Sequence, residues 1–367
     1  MTARRFGDSG SLDSLPTNRT TLANLPHSTM VLTRRAARDL KSIIRRLPAE
    51  VLLAMCGCAS DSTLASLCST SRTMRALATP VLYRSVSLTE RTQAKRFIET
   101  VASRPGLAAH VRRLLLRRVE LSGRTAQTLN RILPLMTRLE DLDLRSVAFW
   151  LEGGIGGACF GDLRTFRGLA IPPSWASLQA FLGRHGSITT LDVLGFRENE
   201  SGLSAVHLPQ LTEYVGTASF MSHLDDATVR GIRSLDLRAL DASLGAVLLR
   251  LGPSANLRRV AGTLVDVEAA EVLETVGEHA PKIEHMVFRA RKPVELPLAT
   301  VAERLGALPR LRELGFRRYT YPSEAAGAAH TWGAACKTLV RVVLDGADWR
   351  RVGGQWTVAA IQADDEQ

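Results

Sequence analysis

The chain has 367 residues, 45% of them hydrophobic, with five cysteines and a net charge of +11. That length and apolar content support a sizeable core, in two or three ordinary domains or one extended repeat domain, and exclude a disordered chain. No run of about eighteen apolar residues marks a membrane span, and no secretion-type apolar stretch follows the opening MTARRFGDSGSLDSLP.

Residues 1–45 are expected to form a disordered basic arm. Through Arg46 they hold nine basic residues against Asp8, Asp13 and Asp39, and the stretch up to Ser28 is rich in Ser, Thr, Asn and Pro. The last part, TRRAARDLKSIIRR, has the spacing of a short basic helix, with Arg34, Arg35, Arg38, Lys41, Arg45 and Arg46 close together. A nuclear-import signal, a mitochondrial presequence and a solvated tail all remain open for it, and the three aspartates count against the presequence. Cys56, Cys58, Cys68, Cys159 and Cys336 are an odd, scattered set. They point to reduced thiols in the cytoplasm or nucleus.

The next stretch, 46–80, reads as three short helices. Leu47-Pro48 is a helix start, because proline suits the first helical position, and Glu50 favours the dipole of the first turn. Val51, Leu52 and Met55 recur at helical spacing. Asp61 and Ser62 offer caps for a second helix carrying Leu64, Leu67 and Cys68, and Ser69 to Ser71 for a third carrying Met74, Leu77 and Ala78. Thr79-Pro80 is expected to end the third, since the residue before proline is pushed out of the α region. The apolar VLYRSVSL that follows reads as an extended joint and capping segment within 81–110, with Val86 and Leu88 beside Leu114 and Leu116.

From His110 onward an apolar pattern, Φ-x-x-Φ-x-Φ, keeps returning. It stands at Val111-Leu114-Leu116, Leu139-Leu142-Leu144, Ile188-Leu191-Val193, Ile232-Leu235-Leu237, Ile283-Met286-Phe288, Leu311-Leu314-Phe316 and Leu339-Val342-Leu344. Weaker copies begin at Leu163, Leu211 and Leu257. Helix-like stretches such as WASLQAFLGRHG and EAAEVLETVGEH lie between them. Each strand-plus-helix unit has one apolar face and buries it by stacking on the next, so the stretch 111–358 is expected to be a repeat array of inner parallel strands and outer helices.

Side chains alternate across a strand, so the x positions face outward from the inner sheet. They include Arg112 and Arg113, Glu140 and Asp141, Arg164, and Arg258 and Arg259. Two outcomes are open: neighbouring strands neutralise one another, or the mixed charge serves a protein partner. A nucleic-acid face would be uniformly basic and dotted with aromatics, which this one is not. No P-loop, nucleophile elbow or His-Glu-x-x-His is present, and GGIGGACFG at 153–161 lacks the dinucleotide spacing. Cys56, Cys58 and Cys68 have no fourth ligand nearby to close a tetrahedral site. Neither enzyme activity, cofactor nor metal is expected, and residues 359–367 read as an acidic disordered tail.

Two resemblances fit these features. Leu47-Pro48-x-Glu50-Val51-Leu52, Leu64-x-x-Leu67 and Ser71-Arg72-x-x-Arg75, followed by ATPVLYRSVSL, resemble the F-box motif as it occurs in fungal-type F-box proteins. The departures are Cys56-Gly57-Cys58-Ala59 after the first helix and the loss of an aromatic near Met74. The recurring Φ-x-x-Φ-x-Φ resembles the leucine-rich repeat, in an irregular form. The Asn or Cys usual three residues after the last strand leucine is replaced by Val119, Val147, Phe196, Leu240 and Tyr319. The resemblance implies an α/β fold with an F-box module before an irregular leucine-rich-repeat solenoid. It further implies a substrate-recognition subunit of a Skp–cullin–F-box ubiquitin ligase. Leu47, Pro48, Glu50, Val51, Leu52, Leu64 and Leu67 would then contact a Skp-type adaptor. A protein substrate would meet Arg112, Arg113, Glu140, Asp141, Arg164, Arg258 and Arg259. The alternatives are a leucine-rich-repeat scaffold with a degenerate F-box and no ligase role, and a protein that binds RNA or chromatin through its basic arm.

Overall fold

The structure, a computed structural model, describes residues 47–117, 119–145, 157–169, 175–194, 205–241, 243–252, 256–295, 298–320, 325–344 and 347–359. The basic arm, residues 153–156 of the glycine-rich run, Val147, Phe196 and the acidic tail after Ala359 lie outside these. The chain forms two compact units, one ending at Ala54 and the other beginning at Met55.

The Val51 and Leu52 amides donate to the Pro48 carbonyl at 3.1 and 3.3 Å, which opens helix α1, Ala49–Gly57; this helix begins in the first unit and ends in the second. Glu50 stands in its first turn, where the helix dipole favours an acid.

The second unit continues with α2, Asp61–Thr70, packed on α3, Arg72–Leu82. The Ser60 hydroxyl accepts from the Thr63 amide and caps α2; the Ser71 hydroxyl accepts from the Met74 amide and caps α3. The cap of α2 is thus one residue earlier than Asp61. Contrary to the expected stop at Thr79-Pro80, α3 continues to Leu82 with Pro80 inside it. The last turn closes all the same, because the Tyr83 amide donates to the Thr79 carbonyl and the Arg84 amide to Val81. Only one bond is missing there, and a helix end tolerates that loss.

Thirteen strands of this unit form one sheet in chain order. They are β1 Ser85–Leu88, β2 Arg113–Leu116, β3 Asp141–Asp143, β4 Thr165–Leu169, β5 Thr190–Leu194, β6 Glu213–Gly216, β7 Ser234–Leu240, β8 Arg259–Leu264, β9 His285–Glu295, β10 Glu313–Thr320, β11 Arg341–Leu344, β12 Ala347–Val352 and β13 Gln355–Ala359. β1 to β11 pair in parallel, each strand beside the next in sequence. Helices fill the intervals, among them Arg91–Ser103, Gly123–Ile132, Trp175–Arg184, Leu244–Leu251, Ala269–His279, Leu298–Leu305 and Ala325–Ala335. Parallel neighbours require such crossovers, and the buried residues of these helices share one hydrophobic core with the buried strand positions.

The register explains the sequence pattern. β1 meets β2 with Val86 opposite Leu114 and Leu88 opposite Leu116. The middle apolar position then runs as one buried row through Leu114, Leu142, Phe166, Leu191, Tyr214, Leu235, Val260, Met286, Leu314 and Val342. Val119, Leu240 and Tyr319 are buried too, so an apolar side chain fills the position three residues after the last apolar residue of the pattern. Tyr319, for example, meets the edge of Phe316 at 5.4 Å.

The far end turns antiparallel. β11, β12 and β13 form a meander, and Gly353 and Gly354, at φ 59° and 87°, make the two-residue loop between β12 and β13. Both positions need a left-handed backbone, which glycine adopts without strain.

Candidate functional site

The face of the sheet opposite the helices carries the polar x positions. Its outermost row, set by strand register, is Arg113, Asp141, Thr165, Thr190, Glu213, Ser234, Arg259, His285, Glu313 and Arg341. Two residues further along the strands a second row reads Asp143, Arg167, Asp192, Val215, Asp236, Ala261, Val287, Gly315 and Val343.

Much of the charge in these rows is matched across strands. Arg112 donates to Glu140 at 2.7 Å and Arg167 to Asp141 at 3.0 Å. Asp192, only 4% exposed, accepts from both Arg145 and Arg238, and Arg145 also binds Asp143. Further along, Arg341 binds Glu313 and Asp348, Arg350 binds Asp348, and His285 meets Glu313 at 3.2 Å. Opposite charges facing each other across strands stabilise a sheet modestly, and exposed pairs contribute under about 1 kcal/mol each.

Titration reflects the same arrangement. Burial pushes the Asp141 carboxyl up, against the opposing pull of Arg167. Burial also raises Asp236, offset in part by Arg238 and Arg259. The hydrogen bond to Asp143 holds the Arg145 guanidinium more firmly protonated than usual.

Of the expected substrate residues, Arg113, Asp141 and Arg259 stand in the outermost row, whereas Arg112, Glu140, Arg164 and Arg258 each stand one residue before it. Arg112, Glu140 and Asp141 are engaged in the pairs above, and Arg258 approaches Glu284 at 3.5 Å. Arg113 and Arg259 stand exposed in the outermost row, and Arg164 is exposed just before β4. Sequence reasoning missed the arginine that follows the last apolar position of five strands: Arg117, Arg145, Arg238, Arg289 and Arg317. Its recurrence in a fixed place was the available signal.

The expected adaptor residues divide by burial. Leu52 and Leu64 are buried, Leu47 and Leu67 half-buried, and Pro48, Glu50 and Val51 exposed. On α1, Val51, Leu53 and Met55 are 43%, 41% and 60% exposed. Of these, Leu53 and Met55 lie outside the expected set. Among the described residues, no helix is long and apolar enough to cross a membrane. No protein-family model matches the sequence, and no curated protein matches it.

Proposed function

We propose that the chain is a substrate-recognition subunit of a Skp–cullin–F-box ubiquitin ligase, built as an F-box module followed by an irregular leucine-rich-repeat solenoid. The observation that carries this reading is α1: a short helix with Val51, Leu53 and Met55 in solvent, directly after Leu47-Pro48. Pro48, Val51 and Met55 recur at helical spacing, and an exposed apolar stripe of that kind marks a protein-binding surface. In this reading α1 docks on a Skp-type adaptor. The open face of the sheet then holds a protein substrate near the transferring enzyme. Proximity is the whole mechanism: the effective concentration of the target rises and the chemistry belongs to another subunit.

Capture of a purified Skp-type adaptor by the full chain tests the reading. Val51→Glu with Met55→Glu changes exposed positions only, so the fold persists while adaptor affinity falls by more than about tenfold. A wild-type chain that captures no such adaptor removes the ligase role.

A further inference from the structure

At the C-terminal end of the parallel strands the charge balance fails. Arg289 of β9 and Arg317 of β10 are direct cross-strand neighbours, with Thr263 of β8 on the other side of Arg289. Adjacent strands run about 4.8 Å apart. Like charges placed opposite one another at that spacing destabilise a sheet. Among the described residues neither arginine forms an ion pair. The acid whose field reaches Arg289, Asp236, is already faced by Arg238 and Arg259. Arg291, two residues on along β9, is exposed as well.

Beside the pair lies a low apolar strip made of Ala261, Val287, Gly315 and Val343, one row nearer the strand starts. Gly315 keeps the strip level: a Cβ there would touch Val287 at 3.4 Å and Val343 at 3.6 Å. We propose that Arg289 and Arg317, with this strip beside them, dock an extended acidic segment of a partner protein, with carboxylates alternating with small apolar residues. The proposal rests on the receptor reading above and names its substrate class.

The chemistry favours such a peptide. In an extended chain, residues i and i+2 stand about 6.6 Å apart on one side. Two arginines on neighbouring strands reach carboxylates at that spacing, and each can bind bidentately. The intervening apolar residues cover the strip. A nucleic acid fits less well, because its continuous phosphate charge would also meet Glu313 and Asp236, which border the strip. The arrangement also accounts for an otherwise unfavourable pair: a bound carboxylate relieves the repulsion that the free sheet sustains.

The test uses the full chain and fluorescence anisotropy with three probes: a short labelled peptide alternating glutamate and valine, its lysine counterpart, and single-stranded polyuridine. The glutamate peptide binds and weakens with added salt. Arg289→Glu with Arg317→Glu weakens it by at least about tenfold and confers binding of the lysine peptide, without lowering the melting temperature. Equal glutamate-peptide affinity in wild type and variant overturns the site. So does polyuridine displacing the peptide through the same two arginines. Peptide binding that emerges only when residues 360–367 are removed also overturns it, since Asp364 to Glu366 of the chain itself would then be the occupant. Adaptor capture, measured on the same samples, separates the two readings. Loss of peptide binding with capture intact removes this site alone, whereas absent capture with peptide binding intact removes the ligase role alone.

Discussion

The hydroxyl of Tyr214 occupies the space that a side chain on Gly216 would need: a Cβ at Gly216 would stand 2.3 Å from that oxygen and 3.1 Å from the Val193 carbonyl. The ring is buried against Phe220, and its hydroxyl donates to the Thr217 carbonyl at 2.8 Å. One large residue thus fills two positions of the repeat. Gly216→Ala forces the hydroxyl out of its bond and overpacks the row, for a loss of about 2–4 kcal/mol in chemical denaturation. Tyr214→Leu with Gly216→Val recreates the Leu-x-Val of Leu191 and Val193. It should recover most of that loss, and a double variant no more stable than Gly216→Ala would refute the size-exchange account.

The same exchange explains what could be read in the chain and what could not. Where the third apolar position is Leu, Val or Phe, the pattern stood out and the strands lie where it placed them. The three weak copies, beginning at Leu163, Leu211 and Leu257, all carry glycine there: Gly168, Gly216 and Gly262. At Gly262 a Cβ would meet the Leu237 carbonyl at 2.3 Å and Leu240 at 2.8 Å, so a neighbouring strand supplies the missing volume. Such compensation is tertiary and leaves no local trace. Thr79-Pro80 misled for a similar reason, since backbone bonds beyond the proline decide whether a helix end survives. On the open face, the alternation of the strands revealed Arg112, Arg113, Asp141 and Arg259, but not which of them a cross-strand acid would engage.

Asp192 is the junction of that face. It accepts from Arg145 at 3.1 Å and from Arg238 at 3.3 Å, linking positions 47 and 46 residues away in the chain. The carboxylate is nearly buried while both arginines keep about a third or more of their side chains in water. Asp192→Asn therefore leaves two cations that water can partly solvate, and the expected loss is about 1–3 kcal/mol. Arg145 retains Asp143, so Arg238→Gln in the Asp192→Asn background should add little. Full additivity in a double-mutant cycle would show that the Arg238 contact contributes nothing.

His185 makes the fold sensitive to acid. It is 1% exposed, its ring tilted against Phe181 at 4.2 Å between ring centres. Its Nε2 accepts from the Phe160 amide at 2.9 Å, which leaves Nδ1 to donate to the Phe181 carbonyl at 2.6 Å. Protonation would place a second N–H against the Phe160 N–H and a charge among aromatic rings. Burial accordingly holds the imidazole below its ordinary value of 6.5, with a smaller contribution from Arg184 in the same direction. The unfolded chain therefore binds a proton that the folded chain refuses. The stability from this residue is complete above pH 6.5 and declines as the pH falls toward the lower folded value. His185→Gln lacks the titrating group, so it should be less stable than wild type at pH 7.5 yet lose less between pH 7 and 5. Urea denaturation of both proteins across that range measures the difference. Parallel pH profiles would assign the acid sensitivity to the carboxylates of the sheet instead.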